Sequence, residues 1–319
     1  MVTVGDEKLS EAAQHLMHKW GAYELSFTWM GTKKALTKDQ KKDMAERFDA
    51  DPAWLSGSKK LLDTKDEAWK RVTDAKKAIK EYWESHTLPW PKDGVRLVRR
   101  EGWSEVQSRM VDLRYALHDA VDSLDNEFQR LIRAAERKMG TVFDRADYPN
   151  TVHGLFDVEW EPVNVDPPEY LASEHPELFA AQSARIAARF DEAARMAEEA
   201  FCGEFLRLAG DLTDKLAGIN DGQPKRLHDA NVENLAEFFQ KFRRLNIHSS
   251  EELDKAIADA EQAMKSPGLF GGTVSRDELK DSAGLRAAVA TKLSAAMASI
   301  EGMMVNQPRR AINRRQAEK

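Results

Sequence analysis

Two long segments of the chain repeat their apolar side chains every eleven residues, and this pattern limits the possible folds more than any other feature. Within residues 103–140 and 176–219 the apolar positions lie three or four residues apart, and each set recurs after eleven. An eleven-residue period gives about 3.67 residues per helical turn, so the apolar stripe runs almost straight along the helix. The stripes are Val106, Met110, Leu113, Leu117, Val121, Leu124, Phe128, Ile132, Ala135 and Met139, then Ile186, Phe190, Ala194, Ala197, Phe201, Phe205, Leu208, Leu212, Leu216 and Ile219. We therefore expect two long helices that each bury one face.

The matched periods predict that these two helices pack against each other as an antiparallel hairpin. Ser104 with Gln107 fits a capping box at the start of the first helix, and Gly140 supplies its C-terminal stop. A third helix, from residue 58 or 64 to 85, is expected to join them. The predicted fold is mainly α, an elongated bundle built on long antiparallel helices.

Shorter helices are expected at 6–19, 37–49, 231–245, 250–265 and 276–304. Capping boxes, in which a hydroxyl residue precedes Glu or Gln by three positions, support three of these helices. The three pairs are Thr37 with Gln40, Ser249 with Glu252, and Ser275 with Glu278.

Three stretches interrupt the helical pattern and favour short strands. Residues 23–30 place aromatic and apolar side chains at every second position, as in a half-buried strand. Residues 94–98 and 155–163 lie beside proline-rich turns and are also apolar. We expect the three to form one small β-sheet near the ends of the long helices.

The polar, turn-rich residues 220–230 suggest the division between two domains. Residues 1–219 are predicted to form a long-helix bundle with the small sheet. Residues 220–319 are predicted to form a C-terminal helical region that ends in a basic tail.

Composition argues against several classes of function. The net charge of −6 and the pI near 5.9 do not favour general nucleic-acid binding, although a local basic patch remains compatible with them. The single cysteine, Cys202, lies on an apolar helix face and is expected in the core. The N-terminal residues lack the pattern of a signal peptide, and no apolar run is long enough for a membrane span. A cytoplasmic protein without a membrane segment is expected.

Searches for catalytic and cofactor motifs indicate no active site. His15 and His18 lie one helical turn apart, but no further ligand has a suitable spacing, so no metal is expected. No Gly-x-Ser-x-Gly motif occurs, and Glu198 and Glu199 are typical of a solvated helix face. We expect no cofactor and no enzymatic activity, while a hydrolase site assembled from distant carboxylates stays open.

Two lysine pairs follow glycines in a way that partly resembles a phosphate-binding loop. The stretches GTKK and GSKK place Lys33, Lys34, Lys59 and Lys60 after Gly31 and Gly57, but the rest of that motif is missing. The favoured interpretation is a loop that meets a helix, with Thr32 or Ser58 as the cap. The alternative is that these lysines bind an anion.

Two further segments are candidates for partner binding. Leu269 and Phe270 lie between glycines and either fold back onto the domain or insert into a groove of another chain. The tail carries a cluster of arginines on an acidic protein and is expected to contact nucleic acid, an acidic subunit or only solvent. These arginines are Arg309, Arg310, Arg314 and Arg315.

The non-helical stretches LSFTWMGTKK, SGSKKLLD, LPWPKDGVRLV and DYPNTVHGLFDVEWEPVNVDPP carry a resemblance to a known family. Over roughly its first half the chain resembles a domain-of-unknown-function family of phage and bacterial helical proteins. Members are often encoded near MoxR-type AAA+ ATPases and von Willebrand factor A proteins. The resemblance implies a helical accessory subunit of an ATPase-driven complex, and it brings no catalytic residues with it.

The sequence therefore predicts a non-enzymatic helical scaffold or adaptor that acts in a multiprotein assembly. A protein partner or self-association is expected, since long apolar stripes commonly bind another helix. The alternative is a nucleic-acid-associated protein that uses the lysine pairs or the arginine tail.

Overall fold

The protein comprises two compact units. The computed structural model describes residues 10–216, 227–265 and 272–306. The sheet unit comprises Gly21–Thr87 and Gly94–Val163. The helical unit comprises Met1–Trp20, Leu88–Asp93 and Asn164–Lys319.

Helices account for most of the described chain, as predicted, and six short strands accompany them. The helices are α1 (Glu11–Lys19), α2 (Lys38–Arg47), α3 (Glu67–His86), α4 (Trp103–Met139), α5 (Tyr170–Glu174), α6 (Pro176–Leu216), α7 (Asp229–Leu245), α8 (Glu251–Ala263), α9 (Arg276–Asp281) and α10 (Ala283–Asn306). The strands are β1 (Trp20–Trp29), β2 (Lys33–Ala35), β3 (Ser58–Lys60), β4 (Thr87–Pro89), β5 (Val95–Arg99) and β6 (Phe156–Pro162). None of the helices in the described ranges is both long and apolar enough to cross a membrane.

The three predicted strands join one antiparallel sheet, which confirms that prediction. The strand order is β4-β5-β1-β6, and β1 pairs with β6 from Tyr23 opposite Pro162 to Trp29 opposite Phe156. Strand β4 was not predicted, because three residues are too few to display an alternating pattern. The sheet places Phe156 and Val158 of β6 in the core of the unit.

The predicted stripe of α4 forms the buried face of the sheet unit. Its central residues are buried, while Val106, Leu113 and Met139 are half-buried against the same core. Helix α3 supplies the opposing side chains, including Trp69 and Trp83. The stripe therefore predicted correctly which face of α4 is covered.

The predicted stripe of α6 is likewise buried, here within the helical unit. All of its members from Ile186 to Leu216 are buried, and Ile219 lies outside the described residues. The helices that pack against α6 are chiefly α10, α1 and α7. The predicted hairpin between α4 and α6 is not confirmed, because the two helices belong to different units and α4 packs on α3. A stripe specifies a buried face but not the element that covers it.

The domain division expected at 219/220 does not coincide with the boundary between the units. Helices α6 and α7, on either side of it, belong to the same unit and pack together. The sheet unit is instead continuous except for Leu88–Asp93. Residues 217–226, where the division was expected, lie outside the described part of the chain.

The capping predictions are confirmed for two helices and corrected for two others. Thr37 and Ser275 form the predicted capping boxes of α2 and α9. Helix α8 begins one residue later than predicted, because Ser250 rather than Ser249 accepts the hydrogen bond from Leu253 N. Helix α4 starts at Trp103, ahead of the predicted Ser104 box, and its N-cap has no side-chain hydrogen bond.

The helix predicted at 276–304 is two helices, α9 and α10. Ser282 ends α9, and its hydroxyl accepts a hydrogen bond from Leu285 N at 3.2 Å, which provides a new N-terminal cap for α10. The sequence prediction joined the two helices and did not include this break.

Candidate functional site

The two lysine pairs of the sequence lie side by side in a two-stranded antiparallel sheet. Strand β2 pairs with β3 so that Lys33 faces Lys60 and Lys34 faces Lys59. The predicted loop-to-helix arrangement is therefore wrong: Thr37 caps α2 and Asp66 caps α3, whereas Thr32 and Ser58 cap neither helix. We call residues 33–60, from β2 through α2 to β3, the basic insert.

One lysine of each pair forms an ion pair with the same carboxylate of the protein itself. Lys34 Nζ lies 2.6 Å from Asp147 Oδ1, and Lys59 forms an ion pair with Asp147 Oδ2. The Lys59 side chain is buried and also donates a hydrogen bond to Val142 O at 2.9 Å. Asp147 thus lies between these two lysines, where the alternative interpretation placed an external anion.

The electrostatics of this ion-pair triad favour an ionised carboxylate. Burial disfavours the charged form of Asp147, but the hydrogen bonds from Lys34 and Lys59 outweigh burial and hold its pKa below the ordinary value. The same contacts raise the pKa of Lys34. The triad therefore anchors the basic insert to the segment that follows α4.

The other two lysines, Lys33 and Lys60, are exposed. Within the described ranges neither forms an ion pair with a carboxylate. Their charge remains available to a ligand, so anion binding by Lys33 and Lys60 stays a prediction.

Two aromatic side chains on the basic insert are largely exposed to solvent. Trp54 is 88% exposed and Phe48 is 73% exposed. A short 3-10 turn carries Trp54, and Asp51 stabilises this turn by accepting a hydrogen bond from Ala53 N at 2.8 Å. Tryptophan and phenylalanine are common in the centre of protein interfaces and expensive to leave in water. Their exposure was not predicted, since isolated apolar residues such as Phe48 and Trp54 are equally compatible with the core.

A pocket of about 530 Å³ lies beside the basic insert, within the sheet unit. Its walls come from three segments: Leu36, the stretch 58–65, and the last turns of α4 with Val142. Apolar side chains form most of the lining, and the rest includes several lysines. Its volume lies within the range found for small-molecule sites.

The structure also forms a histidine–carboxylate cluster that the sequence did not predict. Arg114 donates two hydrogen bonds to Asp157, at 2.8 and 2.6 Å, and His118 Nε2 lies 3.1 Å from Asp157 Oδ1. In the described ranges no hydroxyl or thiol group hydrogen-bonds to His118, so the cluster lacks the nucleophile of a catalytic triad. It connects α4 to β6, and Asp157 is too far in sequence from Arg114 and His118 to be linked to them by spacing.

Two residues of α6 bear on the possibility of covalent chemistry. Cys202 is buried, as predicted, and burial, reinforced by Glu198, raises the pKa of its thiol to about 11. A thiol with so high a pKa is a poor nucleophile at neutral pH. Glu199 is exposed, whereas Glu198 is buried, which corrects the prediction that both belong to a solvated face.

The remaining predicted partner-binding residues lie outside the described part of the chain. They are Leu269, Phe270, Arg309, Arg310, Arg314 and Arg315. Across the described ranges, no three His, Cys, Asp or Glu residues form a group that could hold a metal ion.

Comparison with protein-family models, curated proteins and solved structures found no match to this chain. The resemblance to the phage and bacterial helical family therefore stays a prediction from the sequence. The geometry of the basic insert is the observation on which a functional proposal has to rest.

Proposed function

We propose that this protein is a non-enzymatic adaptor that binds a partner protein through the basic insert. The observation that carries the proposal is the exposure of Trp54 and Phe48 on an anchored, positively charged element. A few well-placed aromatic side chains dominate the binding energy of most protein interfaces.

The anchoring of the insert supports the proposal, because a binding element that is already ordered loses less conformational entropy on association. Lys34 and Lys59 hold both strands of the insert to Asp147. Gln40 of α2 adds a hydrogen bond to Val142 O at 3.2 Å. Trp54 and Phe48 therefore project from a supported scaffold.

Charge favours an acidic partner surface. The basic insert contains eight Lys or Arg residues and five Asp or Glu residues, in a protein whose overall net charge is −6. Complementary charge accelerates association and selects among partners more than it raises affinity. We expect the partner to present carboxylates around an apolar patch that receives Trp54.

The broader setting of the adaptor is also part of the proposal. The family resemblance favours a phage-derived accessory subunit of an AAA+ ATPase that works in the cytoplasm. Self-association and an elongated bundle are further expectations from the sequence; because the described members of both stripes are covered within their own units, self-association would use another surface. Light scattering coupled to size-exclusion chromatography tests self-association, and small-angle X-ray scattering tests the elongated bundle.

A capture experiment tests the adaptor proposal. Tagged wild-type protein and the variants Trp54→Ala and Phe48→Ala are recovered from the native host, and bound proteins are quantified by mass spectrometry. Tyr115→Ala is the matched control, since Tyr115 of α4 is another exposed aromatic residue, 65% exposed, in the same unit. We expect at least one protein to be lost from both insert variants and retained by the control.

Two outcomes contradict the proposal. The first is a strictly monomeric wild-type protein that captures nothing above background. The second is a set of captured proteins that is identical for wild type, Trp54→Ala and Phe48→Ala.

Nucleic-acid binding is the second candidate, favoured by the combination of Lys33 and Lys60 with an exposed tryptophan in one element. Lysines contact phosphates, and aromatic rings stack on unpaired bases. Fluorescence anisotropy with single-stranded DNA and RNA tests it. This candidate predicts affinity that falls steeply with salt and with Lys33→Ala or Lys60→Ala. Absence of binding at low salt eliminates it for both nucleic acids.

A further inference from the structure

The pocket beside the basic insert has an apolar interior formed by two parts of the sheet unit. Helix α4 contributes buried and half-buried side chains along its last turns, and the insert with the residues after β3 closes the other side. The apolar lining residues are Leu36, Leu61, Leu62, Leu131, Ala134, Ala135, Met139 and Val142. With about 530 Å³, the pocket accommodates an extended hydrocarbon chain or a ligand of similar bulk.

The charged groups of the lining are mostly lysines, and their charges are only partly balanced. Lys138 Nζ lies 2.7 Å from Asp63, and Lys59 is paired with Asp147. The hydrogen bond from Lys138 helps to hold the pKa of Asp63 below its ordinary value, so Asp63 is ionised and balances that lysine. Lys60 and Lys65 also line the pocket, and in the described part of the chain neither forms an ion pair. The lining therefore retains a positive charge beside an apolar interior.

We propose that this pocket binds an amphiphilic anion: a single hydrocarbon chain that ends in a carboxylate or phosphate group. The chain lies against the leucines and Met139, and the head group receives hydrogen bonds from Lys60 and Lys65. Hydrocarbon burial supplies affinity, and the lysines fix the orientation. A cationic amphiphile of the same chain length is repelled by the same two lysines.

The apolar walls and the lysines of the pocket together define the class of ligand. A small hydrophilic anion leaves the apolar walls exposed to water, and a neutral hydrocarbon gains no attraction from the exposed lysines Lys60 and Lys65. The two possible head groups share one recognition chemistry. Two probes with the same hydrocarbon chain, one ending in a carboxylate and the other in a phosphate, distinguish the two head groups.

Isothermal titration calorimetry on the full chain tests the proposal with four probes. These are dodecanoate, dodecyl phosphate, dodecanol and dodecyltrimethylammonium, each below the concentration at which it aggregates. We expect saturable binding of at least one anion with one site per chain, at least tenfold tighter than binding of the cation. The stronger of the two anions identifies the head group.

Variants locate the binding site. Lys60→Met and Lys65→Met each keep the bulk of the side chain but remove its charge, and we expect each to weaken anion binding by roughly fivefold or more. Ala134→Phe fills the pocket from α4 and is expected to abolish binding. Lys77→Met, an exposed site on α3, is the matched control and should change affinity less than about twofold.

Circular dichroism and thermal unfolding establish whether each variant is folded. If Ala134→Phe does not fold, the two lysine variants still decide the test. The proposal is overturned if neither anion binds, or if the cation binds as tightly. It is also overturned if Lys60→Met and Lys65→Met both bind like wild type. Trp54→Ala should bind the anion normally, so this inference can fail independently of the adaptor proposal.

Discussion

The sheet unit and the helical unit each bury the apolar stripe of one long helix, but the polar contacts around it differ. Each has one long helix with a straight apolar stripe. In the helical unit the stripe of α6 packs on other helices through apolar side chains, with a phenylalanine cluster at its centre. Its long-range polar contacts, such as Ser10–Asp191 and Lys241–Glu204, are exposed or only partly buried. In the sheet unit, by contrast, the Lys59–Asp147 ion pair that connects two distant segments is buried.

This difference indicates where the two units can carry function. Apolar packing fixes a fold but leaves few polar groups positioned for a ligand. The polar contacts of the sheet unit hold an irregular element, the basic insert, in a defined position with its aromatic side chains outside the core. Both proposals accordingly fall within the sheet unit.

The largest expected effect is the loss of a phenylalanine from the cluster of the helical unit. Phe238 is buried and its ring lies 5.8 Å from that of Phe205 and 6.2 Å from that of Phe242. Because Phe238→Ala leaves a cavity, we expect the free energy of unfolding to fall by about 3–5 kcal/mol in urea denaturation. Leu178→Ala, at an exposed site, should change it by less than about 0.5 kcal/mol. Equal effects at the two sites contradict an apolar origin of this unit's stability.

The next largest effect is expected from the ion-pair triad of the sheet unit. Asp147→Ala leaves the buried Lys59 without its counter-charge, and we expect a loss of about 2–3 kcal/mol. Asp112→Ala breaks an exposed pair with Arg109 and should cost less than about 0.5 kcal/mol. The measurement is again urea denaturation. A negligible effect of Asp147→Ala means that the basic insert is not anchored as described.

The polar contacts of the sheet unit should make its stability sensitive to acid. Burial opposes ionisation of Asp157, but hydrogen bonds from Arg114, from the backbone and from His118 together lower its pKa below 3.8. The carboxylate therefore contributes stability above that pH, and the contribution is lost as the pH falls through the lowered pKa. Urea midpoints measured from pH 7 to pH 3 should fall less steeply for Asp157→Asn than for wild type. Asp112→Asn should follow wild type, and parallel profiles for all three proteins refute the assignment.

The last prediction concerns the reactivity of Cys202 in the helical unit rather than a change in stability. With its pKa raised from 9.0 to about 11, the thiolate fraction at pH 7 is about a hundredfold lower than for a free thiol. We expect a disulfide reagent to modify native protein at least a hundredfold more slowly than unfolded protein in urea. A native rate close to the unfolded rate indicates that the α6 core opens readily, which contradicts the tight apolar packing.

The sequence predicted the buried faces of the long helices, because burial of a stripe follows directly from periodicity. It predicted that the helix ending near residue 85 joins the packing, and α3 does pack on α4. It also paired the two stripes with each other, which is not confirmed, since an apolar face packs equally well on several partners. Strands β2 and β3 were missed because Lys33–Ala35 and Ser58–Lys60 contain no apolar alternation.

The candidate site was predicted only in part. The four lysines were recognised from their spacing, but the role of Asp147, distant from them in sequence, carries no local signal. The exposure of Trp54 is also a property of the fold, because its sequence context fits the core equally well. The pocket depends on Leu36 meeting the last turns of α4, which is a tertiary contact.

Hydrogen–deuterium exchange of the full chain, alone and in complex with the protein that it captures, tests the central claim most directly. The account predicts that partner binding slows exchange within residues 33–60 and leaves the core of α6 and α7 unchanged. Protection confined to the helical unit, with unchanged exchange in the basic insert, contradicts it.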